Sequence, residues 1–247
     1  VTGTGSSGLS PLLDGIELVI FDKDGTLIDF HAMWGGWALE LGRRLDGATR
    51  RPVGGDVFAA IGFDPVNGRV RAGAPLAVAT MAEIAELIAA VIRRWCPSVA
   101  AARRAVESAW FEPDPVATAV PTTDLPALFG RLRDADRRIA VATTDDRAPT
   151  EATLRGLGIR HQVSALACGD DRVGVKPDPA MVLAICTALQ VAPAGVAVVG
   201  DTPADLAMGR SAGSGRVIGV LTGVGSKEEL EPLADVVLGS IGELIRG

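Results

Sequence analysis

The apolar positions of this chain follow two regimes. Over 16–29 and again from 116 to the end, short contiguous aliphatic runs alternate with helix-length segments, whereas over 30–115 helical patterns dominate and strand signals vanish. The first run, Leu18-Val19-Ile20-Phe21, stops abruptly at Asp22-Lys23-Asp24-Gly25-Thr26 and reads as a buried strand entering a polar turn. Strand-like Arg138 to Thr143, Val163 to Cys168, Val196 to Val199, Arg216 to Val220 and Asp235 to Leu238 follow. They are separated by helix-like Asp124 to Ala135, Ala148 to Leu157, Pro179 to Leu189 and Pro203 to Ser211. This alternation predicts an α/β fold, a Rossmann-like parallel sheet with helices on both faces.

Helix punctuation supports the reading. Asp178-Pro179 and Thr202-Pro203 each place a capping residue before a proline at the first helical position, and Gly158 sits where a helix should stop. Helical patterns at Trp37 to Leu45, Met81 to Trp95 and Ala100 to Phe111 predict an inserted α-helical domain at 30–115, with the core domain formed by 16–29 and 116–247. Residues 1–15 are rich in Gly, Ser and Thr and are expected to form a flexible tail. All four tryptophans, Trp34, Trp37, Trp95 and Trp110, fall in the insertion, where they are expected to fill the core of a small helical unit.

Composition narrows the function. A chain of 247 residues with 48% hydrophobic and 22% charged residues has ample core-forming material, which sets aside disorder. A net charge of -6 gives no field to attract a nucleic-acid backbone or an anionic membrane surface, so neither partner is expected. Cys96, Cys168 and Cys186 are too widely spaced for a disulfide framework or a zinc site. The apolar stretch Leu76 to Ile92 carries Glu83 and Glu86 and reads as an amphipathic helix rather than a membrane span. Without an export signal or an anchor, a cytoplasmic protein is the simplest expectation; nothing in the pattern fixes an oligomeric state. Lysine is scarce, with only Lys23, Lys176 and Lys227, so each one's position is informative.

The candidate chemistry collects where the sheet class puts ligands, beyond the carboxyl ends of the strands. Asp22 and Asp24 follow the first strand, Thr143 and Thr144 the second, Lys176-Pro177 precedes the helix after the third, and Gly200-Asp201-Thr202 with Asp205 follows the fourth. Each has an ordinary alternative: Asp205 can close a capping box opened by Thr202, and Asp-Gly is a strong turn dipeptide. Their joint occurrence at successive strand ends argues for one site of carboxylates, hydroxyls and an ammonium.

These residues, Asp22-Lys23-Asp24-Gly25-Thr26-Leu27, Thr143, Lys176 and Gly200-Asp201 with Asp205, resemble the four motifs of the haloacid dehalogenase superfamily. The segments from Cys168-Gly169-Asp170 to Lys176-Pro177 and from Val198 to Gly213 are most similar to phosphoglycolate phosphatases and related small-metabolite phosphatases. The resemblance implies Asp22 as nucleophile, forming an aspartyl-phosphate without a general base because a carboxylate is already ionised. It implies Asp24 as general acid and base, and Mg²⁺ held by Asp22, Asp24, Asp201 and Asp205. Phosphate contacts are expected from Gly25, Thr26, Thr143, Thr144 and Lys176. The insertion resembles the superfamily's small helical cap, which is expected to close during turnover.

The expected activity is Mg²⁺-dependent hydrolysis of a small phosphomonoester, phosphoglycolate-like or a sugar phosphate. Aspartate at position 24 disfavours carbon–halogen cleavage, which has no alkoxide to protonate. Phosphonate cleavage would need a cap lysine, and the insertion has none. A phosphomutase of the β-phosphoglucomutase type shares the core motifs, with Arg43, Arg44, Arg69 or Arg71 available for a distal phosphate; a catalytically silent binding module is the alternative from another class. His31 and Arg147 are candidate substrate contacts, with Trp34 and Arg69 behind them.

Overall fold

The computed structural model describes residues 9–245, and these fall into two compact units, one drawn from 1–29 and 115–247 and the other Phe30–Asp114. Strand β1 (Leu18–Phe21) belongs to the first unit, and the chain leaves it after Asp29 to build the second.

In the second unit, α1 (Phe30–Thr49) buries Phe30, Met33, Trp37, Ala38, Leu41 and Leu45, the three-and-four spacing of one helical face. Helix α2 (Gly54–Ile61) was not foreseen, because Gly54-Gly55 opens it with the weakest ordinary helix former. A hairpin of β2 (Phe63–Asp64) and β3 (Arg69–Val70) follows, each strand too short for alternation to be visible. Its turn is fixed by Asp64, whose carboxylate accepts from the Val66 amide at 2.9 Å and the Asn67 side chain at 2.7 Å. The apolar stretch Leu76 to Ile92 divides into α3 (Pro75–Val78) and α4 (Met81–Ile92), the latter opened by a reciprocal capping box of Thr80 and Glu83. Helix α5 (Val99–Ala109) is capped by Ser98.

Only one tryptophan fills this unit's interior. Trp37 is buried, donates its indole N–H to the Phe111 carbonyl at 3.0 Å and meets Trp34 and Trp110 edge-on. Trp34 and Trp110 are half-buried, and Trp95 is 40% exposed with its N–H on Asp56. An indole carries a donor that needs a partner, so aliphatic side chains, among them Leu41, Leu45, Val57, Ile61, Ile84 and Ile88, form most of the core.

The first unit resumes with α6 (Leu125–Asp134), β4 (Arg138–Ala142), α7 (Arg147–Gly156), β5 (Ala165–Ala167), α8 (Ala180–Leu189), β6 (Val196–Gly200), α9 (Pro203–Ser211), β7 (Arg216–Val220), α10 (Lys227–Leu230) and β8 (Val236–Leu238). The six core strands pair in the order β5-β4-β1-β6-β7-β8, all parallel. Strand residues alternate between two covered faces. Val19, Phe21, Val141 and Val199 pack with Leu125, Leu128, Phe129 and Leu132 of α6, whereas Leu18, Ile20, Ala140 and Val198 pack with Met181, Val182 and Ile185 of α8 and Met208 of α9. Cover on both faces is why the strands are apolar throughout. Thr202 makes the expected capping box ahead of Pro203; before α8, by contrast, Pro179 itself is the cap residue and Asp178 accepts from the Ala180 amide. Among the described residues no helix is long and apolar enough to cross a membrane.

The expected flexible tail at 1–15 is corrected where it can be seen. Residues 1–8 lie outside the described residues, but Pro11–Leu13 forms a 3₁₀ turn capped by Ser10, and Leu9 and Leu13 join the α6-side core. The Ser10 amide donates to the Leu244 carbonyl at 2.9 Å. Glycine and serine dominate the composition there, yet two leucines suffice to dock the segment. Leu13→Ala is therefore expected to cost about 2–5 kcal/mol of unfolding free energy; a loss under about 0.5 kcal/mol in urea titration, the level of a surface change, would show that the segment does not pack.

Candidate active site

The centre of the sheet sets the site. β1 lies between β4 and β6, with Phe21 in register with both Val141 and Val199, so Asp22, Thr143 and Asp201 emerge close together beyond the three strand ends. The Asp22 amide donates to the Val199 carbonyl at 2.8 Å, carrying the β1–β6 ladder one residue past the strand. The chain then turns sharply: Leu27 and Ile28 donate to the Lys23 carbonyl, and Gly25 to the Ile28 carbonyl at 2.8 Å. Gly25 has φ +93°, and a Cβ there would stand 2.4 Å from Asp201 Oδ2, so both conformation and space require glycine. Thr222 and Thr122 clamp the turn, their hydroxyls donating to the carbonyls of Gly25 at 2.6 Å and Thr26 at 2.7 Å.

Asp22, Asp201 and Asp205 are buried, and each offers an oxygen within 4.8 Å of the others. The Lys176 ammonium pairs with Asp22 Oδ1 and, at 2.6 Å, with Asp205 Oδ1. Burial pushes Asp22 up to about 7; Lys176 opposes the rise, while Asp205 and Asp24 add to it. Burial also raises Asp201 well above the carboxylate range, reinforced by Asp22 and Asp205. Lys176 is raised despite the burial that pulls it down, because Asp205 and Asp22 flank it. The Asp201 carboxylate accepts from the Val224 amide at 2.9 Å on Oδ2 and the Thr26 hydroxyl at 3.4 Å on Oδ1. Asp205 fills both roles considered for it: Oδ2 closes the capping box with the Thr202 amide and hydroxyl, while Oδ1 faces Lys176.

Asp24 stands apart from this trio. Its carboxylate meets Lys23 Nζ at 2.6 Å, and the same buried ammonium reaches Asp145 at 3.0 Å. Burial raises the Asp24 pKa, with Lys23 opposing and Asp145 assisting. Thr143 is buried; its hydroxyl accepts from the Asp145 amide at 3.2 Å and keeps its own proton to donate. Thr144 is exposed at the same strand end.

Other expected phosphate and substrate contacts are placed differently. The Gly25 amide is committed inside the turn and the Thr26 hydroxyl points to Asp201, so these residues shape the turn and carry no free donor for phosphate. The Arg147 guanidinium grips Asp171 at 2.9 and 2.6 Å and the Leu166 carbonyl, joining the loops after β4 and β5. That engagement accounts for the side chain without a substrate. His31 lies in α1 of the second unit, buried, its Nδ1 accepting from the Val70 amide at 3.1 Å, which ties the helix to β3. The sequence reading missed Lys23 as a bridge, and Thr122, Thr222 and the Val224 amide altogether. Lysine scarcity pointed to the first; a backbone donor leaves no side-chain signal.

The donor set fits a hard divalent cation. Three carboxylates facing one ammonium leave two negative charges in excess when all are ionised, and only oxygens are on offer. Burial is the main cause of the upward pull on Asp22 and Asp201, and the neighbouring carboxylates add to it.

Comparison with known proteins gives a consistent picture. Residues 16–213 match the family model described as haloacid dehalogenase-like hydrolase. A phosphoglycolate phosphatase of Rhodospirillum rubrum is 32% identical over 197 residues, covering 80% of this chain and 76% of its own. Among solved structures, CbbY from Rhodobacter sphaeroides in complex with phosphate is 26% identical with a TM-score of 0.54, over 93% of this chain and 96% of that one. Two more share the fold: a predicted phosphoglycolate phosphatase from Haemophilus somnus (17% identity, TM-score 0.64, 94% and 97% covered) and β-phosphoglucomutase from Clostridium difficile (18%, 0.56, 93% and 93%).

The Asp22 shift makes a prediction for protein kept in chelator. A carboxyl raised to about 7 in the fold, against an ordinary 3.8, holds its proton more tightly folded than unfolded. Its contribution to stability is therefore full at low pH and falls as pH rises from about 4 through 7. Relative to Asp22→Asn, the wild type should lose melting temperature progressively across that window. A gap that stays constant would mean Asp22 is ionised throughout.

Proposed function

The chain belongs to the haloacid dehalogenase-like hydrolases, and we propose that it is a Mg²⁺-dependent phosphatase acting on a small phosphomonoester through an aspartyl-phosphate on Asp22. The observation that carries the reading is the buried Asp22 carboxylate at the end of the central strand, paired with Lys176 and adjoining Asp201 and Asp205. The curated relative of Rhodospirillum rubrum makes phosphoglycolate the first substrate to try.

Asp22, Asp201 and Asp205, with the backbone carbonyl of Asp24, would hold the metal. When bound, Mg²⁺ supplies charge neutralisation that lets an anionic nucleophile approach an anionic ester. An Asp22 oxygen attacks phosphorus, the bond from phosphorus to the ester oxygen breaks, and Asp24 gives its proton to the departing oxygen. Water then attacks the phosphorus of the acyl-phosphate and gives a proton to Asp24; the Asp22–phosphorus bond breaks, releasing phosphate and regenerating both carboxyl groups. Lys176 and the Thr143 hydroxyl offset charge on the phosphoryl oxygens. Lys23 meets Asp24 through Oδ1, which leaves Oδ2 to carry the proton that the departing oxygen takes.

The test is phosphate release from an aryl phosphate, phosphoglycolate and sugar phosphates, with and without Mg²⁺. Release should require the metal and be abolished in Asp22→Asn. Asp24→Asn should retain a residual rate lower by about 10²–10⁴-fold, and on alkyl esters the most. Near-normal turnover by Asp22→Asn would overturn the mechanism; turnover of sugar phosphates only with a bisphosphate activator would turn the reading to a mutase.

A further inference from the structure

The loop after β7, Leu221-Thr222-Gly223-Val224-Gly225-Ser226, lies outside the four groups of residues that carry the chemistry, yet it touches two of them, one through backbone amides and one through a hydroxyl. The Val224 amide donates to Asp201 Oδ2 at 2.9 Å, and the Gly225 amide to the Asp201 carbonyl at 3.1 Å. The Thr222 hydroxyl donates to the Gly25 carbonyl at 2.6 Å. Contact is close enough to exclude side chains: a Cβ on Gly223 would stand 1.8 Å from Asp201 Oδ2, and one on Gly225 2.1 Å from the Asp201 carbonyl oxygen. The Gly25 turn presses on the same carboxylate from another side, where a Cβ would stand 2.4 Å away.

We propose that Thr222, Gly223 and Val224 are positioning residues that fix the Asp201 carboxylate for the cation. The inference rests on the reading of Asp201 as a metal ligand. Asp201 stands with an oxygen within 4.8 Å of those of Asp22 and Asp205, where like charges repel and favour rotation of its carboxylate away from them. A backbone amide on Oδ2 opposes that rotation with a donor that neither titrates nor changes rotamer. Gly223 gives the loop the approach it needs, and Thr222 sets the loop's height against the β1 turn. The three strand ends β1, β6 and β7 are thereby locked to one carboxylate, so the cation is met by a ligand already in place. Groups that orient a metal ligand without touching the metal typically account for 10–100-fold in affinity.

The experiment titrates Mg²⁺ into metal-free full-length protein by calorimetry, beside the melting temperature in chelator. Gly223→Ala should raise the Mg²⁺ dissociation constant by about 10–100-fold, with turnover recovering at high Mg²⁺. A dissociation constant within twofold of wild type in folded Gly223→Ala overturns the proposal. Should that variant not fold, Thr222 decides: Thr222→Val should weaken Mg²⁺ binding while Thr222→Ser, which keeps the hydroxyl, restores it, and equal affinities in the two overturn the proposal. Wild-type protein that binds no Mg²⁺ would instead fail the reading of the site itself, and the inference with it.

Discussion

The structure depends on the burial of like charges at the end of one strand. Asp22, Asp201 and Asp205 are brought within 4.8 Å of one another, nearly out of water, with one ammonium among them. Isolated buried carboxylates would take up protons rather than persist as charges, and Asp22 and Asp201 are displaced in that direction. A fold selected for stability alone has no use for such a cluster. What it provides is an anion-rich cradle of the hard oxygen donors that a divalent cation takes.

Holding that cluster places demands on the surrounding backbone. A parallel sheet covered on both faces has no side chains to spare at its interior, since Leu18, Val19, Ile20 and Phe21 all go to packing. Restraint therefore comes from strand ends. The ladder continues through the Asp22 amide, the Thr202 cap fixes Asp205, and Thr122 and Thr222 clamp the turn between Asp22 and Leu27 by its carbonyls. Loss of any one loosens a carboxylate that its neighbours repel.

Much of this was legible in the sequence, for physical reasons that also mark the limit. The core strands stood out because two-sided burial demands contiguous apolar runs, and the charged trio because Asp22 and Asp201 each end such a run and Asp205 follows in the first turn of α9. Helix α2 and the β2–β3 hairpin were hidden, one by its opening glycines and the other because two-residue strands have no period. Leu9 and Leu13 were masked by the Gly- and Ser-rich residues around them. Arg147 and His31 drew attention as functional side chains but are occupied by Asp171 and the Val70 amide, partners fixed only by tertiary structure. The Val224 amide could not have been found, since an N–H is common to nearly every residue.

The two buried lysines divide the acidic site into halves with different duties. Lys176 stays with Asp22 and Asp205, whereas Lys23 joins Asp24 to Asp145. Without Lys23, Asp24 would face Asp22 unshielded, and mutual repulsion would raise both. With it, each ammonium bridges a pair of carboxylates, Asp22 with Asp205 and Asp24 with Asp145, while Asp201 is held by the Val224 amide and the Thr26 hydroxyl. Lys23 takes only Oδ1 of Asp24, and burial favours a proton on that carboxyl, so on the proposed reading Oδ2 can carry the proton to an ester oxygen while the pair with Lys23 stays intact.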